Sequence, residues 1–232
     1  DPEFAEQLQN TTAQWVERDF GPELRHGRFR LEDVLNDARE MSRPRREPFY
    51  WQNARYSGNT QPVVGVNLWE AMAYCEWLGR RLRESGLVVD QAIVRLPTEW
   101  EWERIARGAK NGAKYPWGDH PPSSDLAHTR ADGLVLDYAA PVGCFTRGAT
   151  DHGVLDVAGN VWEWTASRAL PPDETHDDER NDLTTLGDVI VRGGSWFSSE
   201  PEAVRCGYRG IDLPQNVYYD VGFRVVIDNH QP

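Results

Sequence analysis

The chain has 232 residues, 39% of them hydrophobic, and a formal net charge of −12. This length suits one large domain with a real core, while the acidic charge argues against binding nucleic acid or anionic membranes. No apolar run approaches the length that inserts into a membrane. The three cysteines, at positions 75, 144 and 206, cannot all pair. A reducing compartment such as the cytoplasm is therefore favoured over a disulfide scaffold.

The first 47 residues are expected to lie outside the main domain. Residues 1–4, Asp-Pro-Glu-Phe, look like the remnant of a cloning linker, and no signal-peptide pattern follows them. Residues 5–20 and 31–41 each suit a short helix. The second has four apolar residues on one face, namely Leu31, Val34, Leu35 and Ala38. We therefore assign residues 5–47 to an N-terminal helical extension and residues 48–232 to the main domain.

Two capping patterns predict the helices of the main domain. Residues 61–66 suggest a short strand, after which Asn67 and Glu70 have the spacing of a capping box. The helix that follows is expected to end at Gly86. Its predicted buried face consists of Leu68, Met72, Cys75, Leu78 and Leu82.

Residues 92–96 predict a strand that leads into the second helix. Thr98 and Glu101 form its capping box, and Gly108 is expected to end it. Three carboxylates, Glu99, Glu101 and Glu103, lie near its start. Because acidic side chains stabilise the positive end of a helix dipole, we assign them a structural role and not acid–base catalysis. Residues 109–153 predict loops, and residues 171–182, with six acidic side chains, predict a surface loop.

The last stretch of the chain has two β-rich flanks around an irregular interior. Val189–Arg192 and residues 221–227 predict strands, whereas Gly, Ser and Pro between them predict neither helix nor strand. This interior is rich in Tyr, Ser, Gly and Asp, a composition typical of binding loops. The alternative is that its aromatic side chains are simply buried.

A series of short motifs follows in an order that resembles one family. The motifs are Val64-Gly65-Val66, Arg95-Leu96-Pro97-Thr98-Glu99-Trp100-Glu101-Trp102, Pro116-Trp117-Gly118-Asp119, Pro141-Val142-Gly143, Gly159-Asn160-Val161-Trp162-Glu163-Trp164, Arg192-Gly193-Gly194-Ser195-Trp196 and Gly222-Phe223-Arg224. Residues 48–228 thereby resemble the formylglycine-generating enzyme (sulfatase-modifying factor) family. The resemblance implies an α+β variant of the C-type lectin fold, with two helices around a small twisted antiparallel sheet and a high loop content.

The chain also resembles the variable proteins of diversity-generating retroelements, which are found in bacteria and phages. These proteins use the same fold to display hypervariable ligand-binding residues near the C-terminus, and their variable codons cannot encode Gln, Lys, Glu, Met or Trp. None of these five types occurs among the candidate positions within the predicted variable region, residues 192–224. The candidates are Phe197, Ser198, Ser199, Tyr208, Gly210, Ile211, Asp212, Leu213, Tyr218, Tyr219 and Asp220.

The main functional prediction is therefore a non-enzymatic domain that binds a protein target. Trp196 joins the candidate positions as a predicted ligand-binding residue, and no catalytic residue is predicted. The first alternative is a copper- or iron-dependent oxidoreductase of the family that uses Cys206, because this residue matches the second of two cysteines that hold copper in the family's oxidase. Residues 199–204, where the first would lie, contain no cysteine, and the six histidines are scattered. A non-catalytic adaptor domain of a larger effector is the second alternative.

The resemblance also implies one calcium ion and no organic cofactor. By motif, its ligands would be the side chains of Asp156 and Glu163 and the backbone carbonyls of Gly159 and Val161. Carboxylate and turn-carbonyl oxygens suit this hard cation. The alternative is that both carboxylates only accept hydrogen bonds from backbone amides. At a second family site, His128 stands where Asn is expected, so we predict no ion there.

Overall fold

The computed structural model describes residues 46–109, 112–133, 136–170, 181 and 187–229. They form two α-helices, α1 (Leu68–Glu84) and α2 (Glu99–Arg107). Six short strands accompany them: β1 (Ile93–Arg95), β2 (Trp162–Arg168), β3 (Val189–Arg192), β4 (Gly210–Asp212), β5 (Val221–Phe223) and β6 (Val226–Asp228). The α+β class and the high loop content are confirmed. Neither of these helices is long and apolar enough to cross a membrane.

Several predicted segments lie outside the described residues. They are the linker remnant at 1–4, the helices at 5–20 and 31–41, and the acidic loop at 171–182 apart from Asn181.

The strands form two sheets. The larger has the order β4-β3-β2-β5, in which β2 and β4 run antiparallel to β3 but β5 runs parallel to β2. The sheet is therefore mixed and not wholly antiparallel as expected. The C-terminal stretch divides at Arg224: β5 lies at the edge of the larger sheet, whereas β6 pairs with β1 in a separate antiparallel ribbon. The single strand predicted at 221–227 is thus two strands that serve different sheets.

The two helices predicted for the main domain and their capping boxes are confirmed. The side chains of Asn67 and Thr98 each accept a hydrogen bond from the backbone amide three residues later. In turn, the side chains of Glu70 and Glu101 accept hydrogen bonds from the backbone amides of Asn67 and Thr98. Helix α1 buries Leu68, Ala71, Cys75 and Gly79 against the core. Met72, which was expected on that face, is 38% exposed, because the buried positions follow the 3–4 spacing from 68 to 71, 75 and 79.

Two other local predictions are wrong. Residues 61–66 form no strand, since Pro62 lacks an amide donor and Gly65 has a φ of 74°. The amide of Gly65 instead donates to the carbonyl of Tyr218 at 2.9 Å. The interior of the C-terminal stretch is not wholly irregular, because it contains a 3-10 turn at Pro201–Val204 and strand β4. In β4, Ile211 lies opposite Ile190 of β3.

Candidate functional site

A buried arginine lies beneath the C-terminal segment. Arg192, at the end of β3, has no exposed side-chain surface, and its Nη2 lies 2.7 Å from Glu103 Oε2 and 3.5 Å from Glu99 Oε2. Its Nη1 donates to the backbone carbonyls of Tyr208 at 2.7 Å and Cys206 at 3.2 Å. Because a buried cation must keep its hydrogen-bond partners, Arg192 fixes the backbone of the 206–208 segment onto α2 and β3.

A second arginine attaches the same segment to α2. Arg209 donates from Nε and Nη2 to the two carboxylate oxygens of Glu99, at 2.7 and 3.1 Å. Glu99 is fully buried, so it holds Arg192 and Arg209 together. The helix-dipole role predicted for Glu99 and Glu103 is therefore only part of their function. Their spacing of four residues, which places two carboxylates on one helix face, was the available sequence signal.

Cys206 belongs to this buried frame. It packs with Trp102, Ala106 and Val157 and is 1% exposed. Burial raises the pKa of its thiol to about 11. Metal ligation and nucleophilic attack both require the thiolate, which is scarce at neutral pH for such a thiol. Among the described residues, no group of three or more His, Cys, Asp and Glu side chains could hold a metal ion.

Three of the predicted calcium ligands, Asp156, Gly159 and Val161, precede β2, whereas Glu163 lies within it. The Glu163 carboxylate is already bound by other side chains. Its Oε2 accepts from Trp102 Nε1 at 2.6 Å and from Arg224 Nε at 2.5 Å, and its Oε1 accepts from Arg224 Nη2 at 2.6 Å. Asp156 accepts from the Gly143 amide through Oδ2, and its buried Oδ1 has no hydrogen-bond partner among the described residues. Burial raises the pKa of Asp156. Asp156 suits a cation but Glu163 does not, so the four residues do not fit calcium in this arrangement.

Three of the predicted ligand-binding residues lie in one aromatic cluster, which consists of Tyr50, Tyr56, Trp196, Phe197 and Tyr219. The Tyr219 ring stacks on Tyr56 at 5.7 Å and contacts Trp196 at 5.6 Å and Phe197 at 6.1 Å. Tyr50 joins through Tyr56 at 5.4 Å. Phe197 is 46% exposed, whereas Trp196 is 3% exposed. Trp196 therefore supports the cluster from below.

A second group of predicted residues lies at the β4 edge. Tyr208 is 41% exposed and its ring centre is 5.9 Å from that of Trp162, while Ile211 of β4 is 61% exposed. Gly210 lies against Trp162 as well, since a Cβ there would approach its ring to 3.0 Å. Tyr218, which is 36% exposed, accepts a hydrogen bond from Asn216. The exposed aromatic side chains of the segment are thus divided between the cluster and the β4 edge.

The polar candidate residues mostly bond within their own loops. Ser198 Oγ accepts from the Ser195 amide, and Asp220 accepts from Ser195 Oγ. Asp212 accepts from the Leu213 amide and from Asn216, and burial raises its pKa to about 6. Leu213 is buried and Ser199 is exposed. The hydrogen bonds of Ser198, Asp212 and Asp220 therefore stabilise the local backbone. Among the polar candidate residues, Ser199 is the exposed one.

The sequence analysis did not identify Arg130, Tyr50 and Tyr56 as surface residues of the candidate site. All three precede the predicted variable region by many residues along the chain. The guanidinium carbon of Arg130 lies 4.2 Å over the Phe197 ring and 5.5 Å from the Trp196 ring. The Arg130 amide and Thr129 Oγ1 both donate to the Ser198 carbonyl, at 3.0 and 2.7 Å. No local motif marks these residues, because only the tertiary fold brings them to Phe197.

The structure also has a cavity of about 650 Å³ away from these residues. Its lining includes Trp51, Tyr74, Phe223 and Arg224. None of the predicted ligand-binding residues is among the described residues that line it.

Comparison with known proteins agrees with this fold. The family model of the sulfatase-modifying factor enzyme 1-like domain matches residues 3–229. Two relatives are each 34% identical: hercynine oxygenase of Mycolicibacterium smegmatis over 181 residues, and inactive C-alpha-formylglycine-generating enzyme 2 of Bos taurus over 179. The matches cover 72% and 70% of this chain but 38% and 49% of those proteins. The chain therefore spans less than half of their length.

Solved structures show the same architecture. Treponema denticola variable protein 1 superposes with a TM-score of 0.59 at 21% identity, over 77% of this chain and 74% of that one. PvdO from Pseudomonas aeruginosa superposes with a TM-score of 0.55 at 27% identity, over 72% and 62% of the respective chains. The likeness to the Treponema denticola protein shows a shared fold.

Replacing Glu99 with Gln should destabilise the domain strongly. The change leaves the fully buried Arg192 with Glu103 as its remaining carboxylate and removes the buried carboxylate that binds Arg209, which is 30% exposed. We therefore expect a loss of about 3 kcal/mol in the free energy of unfolding. Glu202→Gln is the matched control, because Glu202 and its partner Arg205 are 52% and 40% exposed and such pairs contribute about 1 kcal/mol or less. Urea denaturation measures both values. Equal losses would show that the buried pairs are not essential.

The cysteines should differ sharply in reactivity towards iodoacetamide at pH 8. Cys144 is exposed, whereas Cys75 and Cys206 are buried with pKa values raised to about 11. The scarcity of thiolate alone predicts about 100-fold slower alkylation of the buried pair than of an ordinary thiol. Mass spectrometry of the labelled peptides measures the rates, and all three should react in urea. Rapid labelling of native Cys206 would contradict a purely structural role.

Calcium should leave the melting temperature nearly unchanged, because Glu163 is already paired with Arg224. We expect values within about 1 °C of one another in excess Ca²⁺ and in EDTA, since only a ligand of the folded state raises the melting temperature. Calorimetry of the wild type and of Asp156→Asn provides the comparison. A Ca²⁺-dependent rise that Asp156→Asn removes would support the predicted ion.

Proposed function

Because this chain belongs to the family of sulfatase-modifying factor enzyme 1-like domains, we propose that it uses the family fold to bind a protein target and not to catalyse a reaction. One observation carries the proposal: exposed aromatic side chains stand on loops whose backbone is held by bonds to the rest of the fold. Phe197, Tyr208 and Tyr218 are exposed. The buried Arg192 binds the Tyr208 carbonyl, while backbone amides of the preceding part of the chain bind the carbonyls of Ser198 and Tyr218. Rigid support lowers the entropic cost of binding through such side chains.

The state of Cys206 supports a non-enzymatic role. Its thiol is buried and has a raised pKa, so it is a poor nucleophile and a poor metal ligand at neutral pH. The relatives include one that is named as an enzyme, hercynine oxygenase, and one from Bos taurus that is named as inactive. Membership of the family is therefore compatible with either role, and the chemistry of Cys206 favours binding.

We further propose that the domain is the variable protein of a diversity-generating retroelement. Five of the candidate variable positions are exposed, namely Phe197, Ser199, Tyr208, Ile211 and Tyr218, although Glu200 and Glu202 of the expected framework are exposed as well. Other framework residues of the segment, such as Arg192, Val204 and Cys206, are buried. Substitution at the exposed positions would cost little stability, whereas substitution in the frame would break the core. The shared fold of the Treponema variable protein is consistent with this role.

The genome of the source organism tests the retroelement proposal. We expect a near-copy of the coding segment for residues 192–224, with Asn codons at the candidate positions, beside a reverse-transcriptase gene. The absence of both would refute the retroelement role while leaving target binding open.

Target binding can be tested with peptides selected from a random phage-displayed library on the immobilised protein. Replacing Tyr208, Tyr218 and Tyr219 together with Ala should weaken binding of the selected peptides by at least about tenfold, because exposed aromatic side chains dominate such interfaces. Calorimetry measures the affinities. The control is Tyr74→Ala with Trp77→Ala, which removes two exposed aromatic side chains of α1 and should leave affinity unchanged. Equal losses of affinity in the triple tyrosine variant and in the control variant would contradict the proposal.

The alternative that the protein is a metal-dependent oxidoreductase can be tested by copper binding. Titration of the reduced protein with Cu(I), in the presence of a competing chelator, should show no tight site that depends on Cys206. Cys206→Ser is the matched control. Tight binding that this substitution abolishes would overturn the non-enzymatic proposal.

A further inference from the structure

We infer that the target-binding surface includes a constant subsite at Arg130, beside the aromatic cluster, and that this subsite takes a carboxylate group of the target. The inference rests on the proposed binding function and adds the chemistry of the partner. Arg130 lies outside the predicted variable region, yet its guanidinium carbon lies 4.2 Å over the ring of Phe197, which is 46% exposed.

Arg130 is held in place by its backbone and has an exchangeable side-chain partner. The Arg130 amide donates to the Ser198 carbonyl at 3.0 Å, which ties the turn at residues 130–132 to the loop that carries Phe197. The guanidinium contacts Asp137 at 2.8 Å, in a pair whose side chains are 28% and 58% exposed. Such a pair contributes about 1 kcal/mol or less, so a carboxylate of the target can replace Asp137 at little cost.

Two nitrogen donors at this place lack partners. Arg130 Nε and Trp196 Nε1 are both buried, and neither has a hydrogen-bond partner among the described residues. Trp196 is 3% exposed and its ring centre lies 5.5 Å from the Arg130 guanidinium carbon. Buried donors are normally satisfied by protein, water or ligand. Arg130 therefore keeps hydrogen-bonding capacity that Asp137 does not use.

The aromatic faces strengthen this preference. The guanidinium carbon lies 4.2 Å over the Phe197 ring, and the planar fork of an arginine suits the two-oxygen geometry of a carboxylate. The rings also reduce local solvent, so a charged hydrogen bond formed there is stronger than in open water. Tyr56 and Tyr219, stacked at 5.7 Å, provide an adjacent apolar surface. The best-suited target segment therefore has an Asp or Glu next to an apolar side chain.

The position of these residues in the chain makes the subsite constant. Tyr50, Tyr56 and Arg130 precede the candidate variable region of residues 192–224. Exchange of residues in that region would change Phe197 or Tyr219 without changing Arg130. The carboxylate preference should then persist in variants that recognise different targets, while the preference for neighbouring side chains changes.

Selection from the same random peptide library tests the inference directly. Peptides recovered on the wild type should be enriched in Asp and Glu relative to the unselected library, and peptides recovered on Arg130→Gln should not. Asp137→Asn removes the competing carboxylate and should increase the enrichment. Arg147→Gln is the matched control, because Arg147 pairs with Asp125 and should leave the enrichment at the wild-type level. Thermal melting confirms that each variant is folded.

The recovered peptides give a second readout. Replacing their Glu with Gln, or Asp with Asn, should weaken binding to the wild type by roughly tenfold, the loss expected for one charge-assisted hydrogen bond. The same change should have little effect on binding to Arg130→Gln. Peptides that bind without acidic enrichment would overturn the Arg130 subsite but retain the binding function. Recovery of no binding peptide on any variant would contradict both.

Discussion

The buried pairing of Arg192 with Glu99 and Glu103 is the constraint on which the rest of the structure depends. Arg192 and Glu99 are fully enclosed, so neither can lose its partner without a large cost in stability. The same guanidinium binds the carbonyls of Tyr208 and Cys206. One arginine thus joins β3, α2 and the C-terminal segment, and it fixes loop backbone by contacts that do not involve the exposed side chains.

The proposed display of exchangeable side chains requires this separation of a buried frame from an exposed surface. The frame uses buried groups such as Trp102, Cys206 and the Arg224–Glu163 pair, whereas Phe197, Tyr208 and Ile211 contribute exposed area. Cys206 is enclosed in this frame and its pKa is raised to about 11, which supports the proposed binding role over thiolate chemistry.

The sequence predicts the helices well because their signals are local. The capping boxes at Asn67 and Thr98 and the buried spacing of α1 require only neighbouring residues. It predicts the sheet less well, since the parallel pairing of β2 with β5 and the division at Arg224 depend on distant contacts. The candidate surface follows the same rule. The variable-like positions are visible in the C-terminal stretch, but Arg130 and Tyr56 reach it only through the tertiary fold, and the inward bonding of Asp212 and Asp220 depends on how their loops close.

Hydrogen–deuterium exchange with and without a selected peptide tests most directly whether the C-terminal surface is the binding site. The account predicts added protection in the loops around Phe197, Tyr208 and Tyr218, together with the turn at Arg130. The Arg192–Glu99 frame should already be protected in the free protein, because its buried hydrogen bonds open only with large parts of the fold. Protection centred on the cavity lined by Tyr74 and Phe223, with none at the C-terminal loops, would contradict the account.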